Sequence, residues 1–203
     1  MWSSMSILKN KGNLLVVTGG SASGKSEYAE GRAVSLAGRD GGSLVYLAAM
    51  MPSGEDARMR IERHQRLRAG KGFETIERYR DIYGLCCGDS RESVYFREKA
   101  AGGTVLLECM SNLTANEMFA ETDTSDRIPE GITALRELVR NLVIVTIDVF
   151  GDGQRYDPET ERYRRCLGLL NQELAAWADE VVEVVCGIPL IHKKTEEEQE
   201  CIH

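Results

Sequence analysis

The chain alternates between short apolar runs and longer stretches of mixed, helix-compatible residues. Asn13–Thr18 reads N-L-L-V-V-T and stops at two glycines. A continuous apolar run of that length predicts a strand buried on both faces. Ser43–Leu47, Thr104–Cys109, Leu142–Thr146 and Glu180–Cys186 repeat the pattern, and Phe73–Arg78 is a shorter candidate. Between the runs, helices are predicted over Lys25–Ala37, closing at Gly38, and over the strongly charged Gly54–Arg68. Further helices are predicted over Ile82–Ala101, Leu113–Phe119, Pro129–Arg140 and Pro158–Trp177. Prolines open the last two, where a missing N–H costs nothing. Glu121–Asp126 and Phe150–Asp157 read as loops, and Lys193–His203 as a charged, frayed end.

This order of elements predicts an α/β fold, a mostly parallel sheet with helices on both faces. Ligands of such sheets bind beyond the carboxyl ends of the strands. A length of 203 residues fits one domain spanning 1–203, with 1–12 and 194–203 expected to be flexible tails.

Composition narrows the class. Hydrophobic residues make up 42% and charged residues 28%, which suits a packed globular chain and not a disordered one. A net charge of −7 argues against a general nucleic-acid partner, because polyanion binding leans on basic surface. No apolar run approaches the roughly 20 residues that span a bilayer. The first residues lack the apolar core of a secretory signal, so a cytoplasmic protein without a membrane span is expected. Six cysteines include no C-x-x-C pair, which removes zinc-ribbon and thioredoxin readings. Cys109 and Cys186 end apolar runs and are expected to be reduced core thiols. The vicinal pair Cys86-Cys87 has a redox reading only if one pKa is lowered, which sequence does not show.

The strongest chemical signal follows the first strand. Gly19-Gly20-Ser21-Ala22-Ser23-Gly24-Lys25-Ser26 fits G-x-x-x-x-G-K-[ST] without a mismatch, between an apolar strand and a helix. Glycines let consecutive backbone N–H groups turn inward onto phosphate oxygens, and the helix N-terminus adds partial positive charge. Lys25 is placed to reach the β/γ-phosphates of a nucleoside triphosphate, and the Ser26 hydroxyl to ligate Mg²⁺. The fold class is therefore P-loop NTPase-like. Such a site also needs a carboxylate at a neighbouring strand end. Glu108 and Asp148 both qualify by position, and a solvent-facing or helix-capping acid is the alternative for each.

His64 is the second signal. Five arginines lie within 58–68 around it, and on a helix Arg60 and Arg68 fall one turn to either side. Spacing alone allows a solvated basic face or a phosphate-binding one. In the latter the imidazole can serve as base, ligand or nucleophile.

From Leu15 to Lys193 the sequence resembles the bifunctional adenosylcobinamide kinase / adenosylcobinamide-phosphate guanylyltransferase family. The N-terminal half carries the likeness in V-T-G-G-S-A-S-G-K-S-E-Y-A-E at 17–30, V-Y-L-A-A-M at 45–50, R-I-E-R-H at 60–64, T-I-E at 75–77 and L-L-E-C-M-S-N-L-T-A-N at 106–116. N-Q-E-L-A-A-W-A-D-E-V at 171–181 and C-G-I-P-L-I-H-K at 186–193 extend it into the C-terminal half. The resemblance implies two reactions in cobalamin biosynthesis. A hydroxyl of adenosylcobinamide is phosphorylated from a nucleoside triphosphate, and the phosphate is then capped with GMP from GTP through a GMP-histidine intermediate. It places His64 at that histidine, with Lys25 and Glu108 as the other catalytic residues. Ala48, Ala49, Met50, Gln65, Arg66, Leu67, Arg68, Glu77 and Glu108 join the phosphate loop around the nucleotide. Mg²⁺ with GTP and ATP, a corrinoid partner and a homotrimer are also implied. Glu108 has two competing roles, guanine recognition and metal binding.

The likeness breaks after the fourth long strand. The family's loop T/S-N-E-V-G-x-G-I-V-P appears as Thr146-Ile147-Asp148-Val149-Phe150-Gly151-Asp152-Gly153-Gln154-Arg155, and an R-D pair becomes Arg164-Arg165. A tryptophan before T-x-E is Phe73. The alternative function is accordingly a P-loop small-molecule kinase, or a nucleotide-binding protein, that has lost guanylyl transfer.

Overall fold

A computed structural model describes residues 12–149 and 154–195. The chain runs β1 (Asn13–Thr18), α1 (Lys25–Asp40), β2 (Leu44–Ala48), α2 (Gly54–Arg68), β3 (Glu74–Glu77), α3 (Ile82–Cys87), α4 (Arg91–Ala100) and β4 (Thr104–Glu108). It continues α5 (Met110–Met118), a 3-10 turn at Ser125–Arg127, α6 (Ile128–Leu138), β5 (Asn141–Val145), α7 (Pro158–Trp177), β6 (Glu180–Val185) and β7 (Ile188–Lys194).

The seven strands form one sheet in the order β3-β2-β4-β5-β1-β6-β7. Its pairings are parallel except for β7, which runs antiparallel to β6. The chain leaves β1 and re-enters the sheet at β2, three places away, so β4 and β5 can slot between them. Register then sets the last residue of β4, Glu108, beside Ala48 of β2 and Val145 of β5. A carboxylate is thereby delivered to the edge from which the phosphate loop emerges.

Alternate residues of each strand point to opposite faces, and the two faces are covered unequally. Leu14, Val16, Leu47, Leu107, Leu142 and Ile144 pack with residues of α3–α7, among them Ile82, Phe96, Leu113, Leu135 and Leu174. Leu15, Val17, Tyr46, Leu106, Val143 and Val145 pack against Ala29, Ala33 and Leu36 of α1. Each such large side chain removed from water contributes roughly 1.5–3 kcal/mol. By contrast, the only buried residue of α2 is Arg68.

Several sequence expectations need correction. Ile82–Ala101 is two helices, because the chain turns extended at Gly88, which closes α3, and Ser90 opens α4 by accepting from the Ser93 N–H. α5 starts at Met110, ahead of the expected Leu113. The expected frayed end beginning at Lys193 is instead partly strand. β7 covers Ile188–Lys194, so Lys194 belongs to the sheet and not to a tail. Residues 1–11 and 196–203 lie outside the described residues, as do 150–153 of the divergent loop. All seven β7 residues are exposed, so the buried-strand pattern could not flag them. Cys186 is not a core thiol: it is exposed, in the tight turn where Cys186 (φ 51°) and Gly187 (φ 80°) reverse the chain. Cys109 is half-buried just past β4 and precedes α5. Cys86 is buried, which pushes its thiol up to about 12 and makes it inert. No helix among the described residues is long and apolar enough to cross a membrane.

Candidate active site

The phosphate loop takes its shape from three positions. A Cβ at Gly19 would stand 2.4 Å from the Val184 carbonyl oxygen, so only glycine lets the loop pass β6. Ala22 (φ 57°) and Gly24 (φ 92°) lie in the left-handed region, and Gly24 is the N-cap of α1. Cys186 and Gly187 lie behind the loop, where the Gly187 N–H donates to the Ser23 carbonyl at 2.8 Å. Lys25 folds over the loop and donates from Nζ to the Gly20 carbonyl at 2.9 Å. Burial holds its ammonium below the ordinary lysine range, while the nearby Glu108 carboxylate opposes that shift.

Glu108 is the polar centre of the site. Its Oε1 accepts a short hydrogen bond from the Ser26 hydroxyl. Its Oε2 accepts from the Tyr46 hydroxyl at 2.7 Å. Tyr46 reaches it because residues 46 and 48 share a sheet face, one strand away. The same Oε1 lies 3.5 Å from Nδ1 of His64. That is close enough for charge to act, but Nδ1 has no hydrogen-bond partner. Glu108 therefore touches the loop serine and the helix histidine at once.

His64 comes from α2, and the phosphate loop from the start of α1. A cavity of about 380 Å³ joins them, lined by the loop residues from Ser21 to Ser26, by Arg60, Arg63, His64 and Leu67 of α2, and by Met50, Glu108 and Cys109. Arginines on α2 thus face the phosphate loop. Arg60 and Arg68 flank His64 one turn to either side as expected, but they border different spaces. Arg60 lines the cavity, whereas Arg68 turns into the fold, with its guanidinium 4.0 Å above the Tyr46 ring and Nε donating to Thr75 Oγ1. Arg63 takes the place expected for Arg68.

The other expected residues divide by location. Ala48, Met50, Gln65, Arg68 and Glu77 surround a narrow slot beside His64 and Glu108, of about 30 Å³, little more than one water. Glu77 is exposed and accepts from the Tyr79 hydroxyl at 2.6 Å. Ala49 is fully buried and Arg66 is exposed, and neither lines these spaces. Of Glu108 and Asp148, Glu108 lines the cavity, whereas Asp148 is exposed and does not, although its neighbour Ile147 does. Two oxygens of hard-ligand type, Ser26 Oγ and a Glu108 oxygen, meet at the loop, which fits a Mg²⁺ that keeps most of its shell for water and phosphate.

Other residues of the shared blocks hold this edge of the sheet together. Asn116 donates from Nδ2 to the carbonyls of Ala49 (2.8 Å) and Tyr79 (3.0 Å), tying the ends of β2 and β3. The Thr146 hydroxyl donates to Asn171 Oδ1 at 2.7 Å, which fixes the chain leaving β5. The Arg164 guanidinium donates to the Val149 carbonyl at 3.2 Å, so the arginine retained from the R-D pair supports the altered loop. Asp179 accepts from the Leu14 N–H and from Arg136 and anchors the start of β1. Sequence reading missed Tyr46, Glu30 and Lys71. Glu30 is fully buried, with Oε2 accepting from Lys71 Nζ at 2.7 Å and Oε1 without a partner. Burial pushes its carboxyl up, and Lys71 pulls it back. The available signal was an acid five residues after Lys25, on a helix face otherwise made of alanine and leucine.

Comparison with known proteins gives the family of the chain. A family model described as cobinamide kinase / cobinamide phosphate guanyltransferase matches residues 15–191. The bifunctional adenosylcobalamin biosynthesis protein CobU of Escherichia coli (strain K12) is 30% identical over 193 residues, covering 86% of this chain and 97% of the relative. Its namesake from Salmonella typhimurium (strain LT2) is 31% identical with the same coverage. Among solved structures, the flagellar accessory protein FlaH of Methanocaldococcus jannaschii superposes with a TM-score of 0.45 and 16% identity, covering 92% of this chain and 80% of that one. The chain belongs to the cobinamide kinase / cobinamide phosphate guanyltransferase family.

Proposed function

We propose that this chain carries out both reactions implied by its family, phosphorylating adenosylcobinamide from a nucleoside triphosphate and then transferring GMP from GTP to the new phosphate through a GMP-His64 intermediate. The observation that carries the proposal is the convergence of His64, Ser26 and Glu108 on one cavity at the mouth of the phosphate loop. A histidine on a merely solvated basic face would not be aimed there.

In the first reaction the loop N–H groups and Lys25 hold the triphosphate; the corrinoid hydroxyl oxygen bonds to the γ-phosphorus as its P–O bond to the nucleoside diphosphate breaks, the diphosphate leaves with that pair, and the hydroxyl proton passes to solvent. Lys25 must leave the Gly20 carbonyl to meet that charge. Ser26 and Glu108 would hold Mg²⁺, which when bound neutralises charge on the phosphate oxygens. In the second reaction a lone pair on His64 attacks the α-phosphorus of GTP. An N–P bond forms, the P–O bond to pyrophosphate breaks, and pyrophosphate leaves with that pair. Arg60 and Arg63 offset the charge that builds on the phosphates. An oxygen of the corrinoid phosphate then attacks the same phosphorus and releases the imidazole. With Glu108 occupied by Ser26 and Tyr46, the guanine N1–H and N2–H fall to Glu77. The slot between Glu77 and His64 is too small for a purine, and the base would lie in the wider space that Glu77 also borders with Gln65, Arg68 and Phe73. A cytoplasmic homotrimer completes the proposal, with the arginine face of α2 near a subunit boundary.

The test is product analysis with adenosylcobinamide, ATP, GTP and Mg²⁺. Both cobinamide phosphate and its GDP-capped product are expected. Phosphate accumulating without the capped product supports the kinase-only alternative. With α-³²P-GTP the protein should take up acid-labile, base-stable label, and label persisting in His64→Ala sinks the assignment of the nucleophile.

A further inference from the structure

Glu30 does not belong to the phosphate loop, yet it ends in the same site. It is a fully buried carboxylate on α1, and only one of its oxygens is used, by Lys71. A buried acceptor without a partner is costly unless something else offsets it. Nδ1 of His64 is another buried polar atom without a hydrogen-bond partner. One oxygen of Glu30, one of Glu108 and a ring nitrogen of His64 all lie within 4.8 Å of one another. A carboxylate oxygen of Glu30 and a ring nitrogen of His64, groups of complementary type, thus come within 4.8 Å of each other, and each residue has one buried polar atom without a partner.

Glu108 is a poor holder of the imidazole. Both of its oxygens already accept, from Ser26 and from Tyr46. Once Ser26 and Glu108 serve phosphate and metal, it is further committed. Glu30 has an oxygen to spare, and Lys71, which is partly exposed, secures the other one. A histidine nucleophile needs such a partner. Its attacking nitrogen must carry the lone pair, so the other must carry the proton and have it accepted. After attack the ring is a phosphorylated imidazolium, and a facing carboxylate stabilises that charge.

We propose that Glu30 is the positioning residue of His64: its unpaired oxygen accepts the Nδ1–H, which leaves Nε2 as the nitrogen that bonds to the α-phosphorus. No proton moves in this step. Nδ1–H stays on the ring through formation and breakage of the N–P bond, and the electron pair returns to Nε2 when the corrinoid phosphate takes the GMP. Lys71 links the turn after α2 to α1 and keeps Glu30 oriented. The inference rests on the reading of His64 as the guanylylated residue.

The experiment measures single-turnover labelling by α-³²P-GTP in the full-length wild type, Glu30→Gln and Glu30→Asp. Kinase turnover with ATP and adenosylcobinamide and GTP affinity are measured on the same preparations. Glu30→Gln keeps the size of the side chain and removes a buried charge, so it is expected to fold, and its kinase turnover reports that it has. Its labelling rate at saturating GTP should fall about tenfold to a hundredfold, the range seen when carboxylate partners of functional imidazoles are lost. GTP affinity and kinase turnover should stay within about twofold. Glu30→Asp, which keeps the carboxylate, should recover part of the labelling rate. Equal labelling rates in wild type and Glu30→Gln overturn the inference alone. So does a loss that appears in GTP affinity and kinase turnover as much as in the labelling rate, because that is a structural effect. Absence of label in the wild type would instead overturn the assignment of His64 itself.

Discussion

The two helices that build the site are held in opposite ways. α1 follows the phosphate loop and places Ala29, Ala33 and Leu36 against the sheet, so the loop sits on the core. α2 carries His64 and five arginines, and its only buried residue is Arg68. Its C-terminal end is pinned by polar contacts: Arg68 on Tyr46 and Thr75, and Lys71 on Glu30. A phosphate cradle works by fixed geometry and gains from a rigid base. On the proposed function, a covalent carrier on α2 meets first GTP and then the corrinoid phosphate, and a helix held at one end would be able to shift between them without disturbing the core.

The contrast can be broken most sharply at the chemistry. Lys25→Ala should lower phosphoryl transfer by about 10²–10³-fold, whereas His64→Ala should abolish GMP labelling and leave phosphoryl transfer in place. Turnover of each reaction in both variants checks the separation. If His64→Ala also stops the kinase, the two helices do not divide the work.

Stability should separate them next. Leu36→Ala on α1 should cost about 2–5 kcal/mol of unfolding free energy, the usual range for leucine truncation in a packed core. Ile61→Ala on the half-exposed face of α2 should cost less than about 1 kcal/mol. Urea titrations of the two variants measure both.

Arg68→Ala removes the guanidinium stacked on Tyr46 and should cost about 1–2 kcal/mol. Its more specific effect is local. Amide hydrogen exchange should speed up across Gly54–Arg68 while Lys25–Asp40 keeps wild-type protection. Uniform acceleration of both helices would mean that α2 is part of the core's cooperative unit.

The smallest effect expected is one of pH. Burial raises the Glu30 carboxyl in the folded protein above its ordinary 4.5. The unfolded chain therefore gives up this proton first, and the term lowers stability as pH rises from that value through the folded one. Glu30→Gln lacks it. Between pH 4 and pH 7 the urea midpoint of Glu30→Gln should gain relative to wild type, and an unchanged difference would place the ionised carboxylate at no cost in the fold.

Much of the architecture is legible locally. β1, α2 and α7 have the bounds that hydrophobic pattern and prolines predict, because each is set by its own sequence: a continuous apolar run, a charged helix former, a proline at the first turn. Elements that depend on partners were not legible. β7 exists because β6 offers it an edge, and none of its residues is buried. The region 82–101 splits because the extended C-cap at Gly88 and the N-cap at Ser90 compete with continuation of the helix. Cys186 ends an apolar run, but the hairpin turn carries it out to solvent.

The same division runs through the site. The sequence alone determined the phosphate loop, since its glycines, Lys25 and Ser26 act through backbone shape within eight consecutive residues. It also singled out His64 by its arginine-rich surroundings and Glu108 and Asp148 by their place at strand ends. Only the tertiary structure decided which of those two acids lines the cavity, because that depends on which strand end the sheet order brings to the loop. It alone turned Arg63 toward the phosphates and Arg68 toward Tyr46, and set Glu30 behind His64, 34 positions on in the chain. Spacing along a chain fixes what neighbours on one helix can share. Distance across a sheet is fixed by packing, and it is there that an isolated carboxylate acquires a partner.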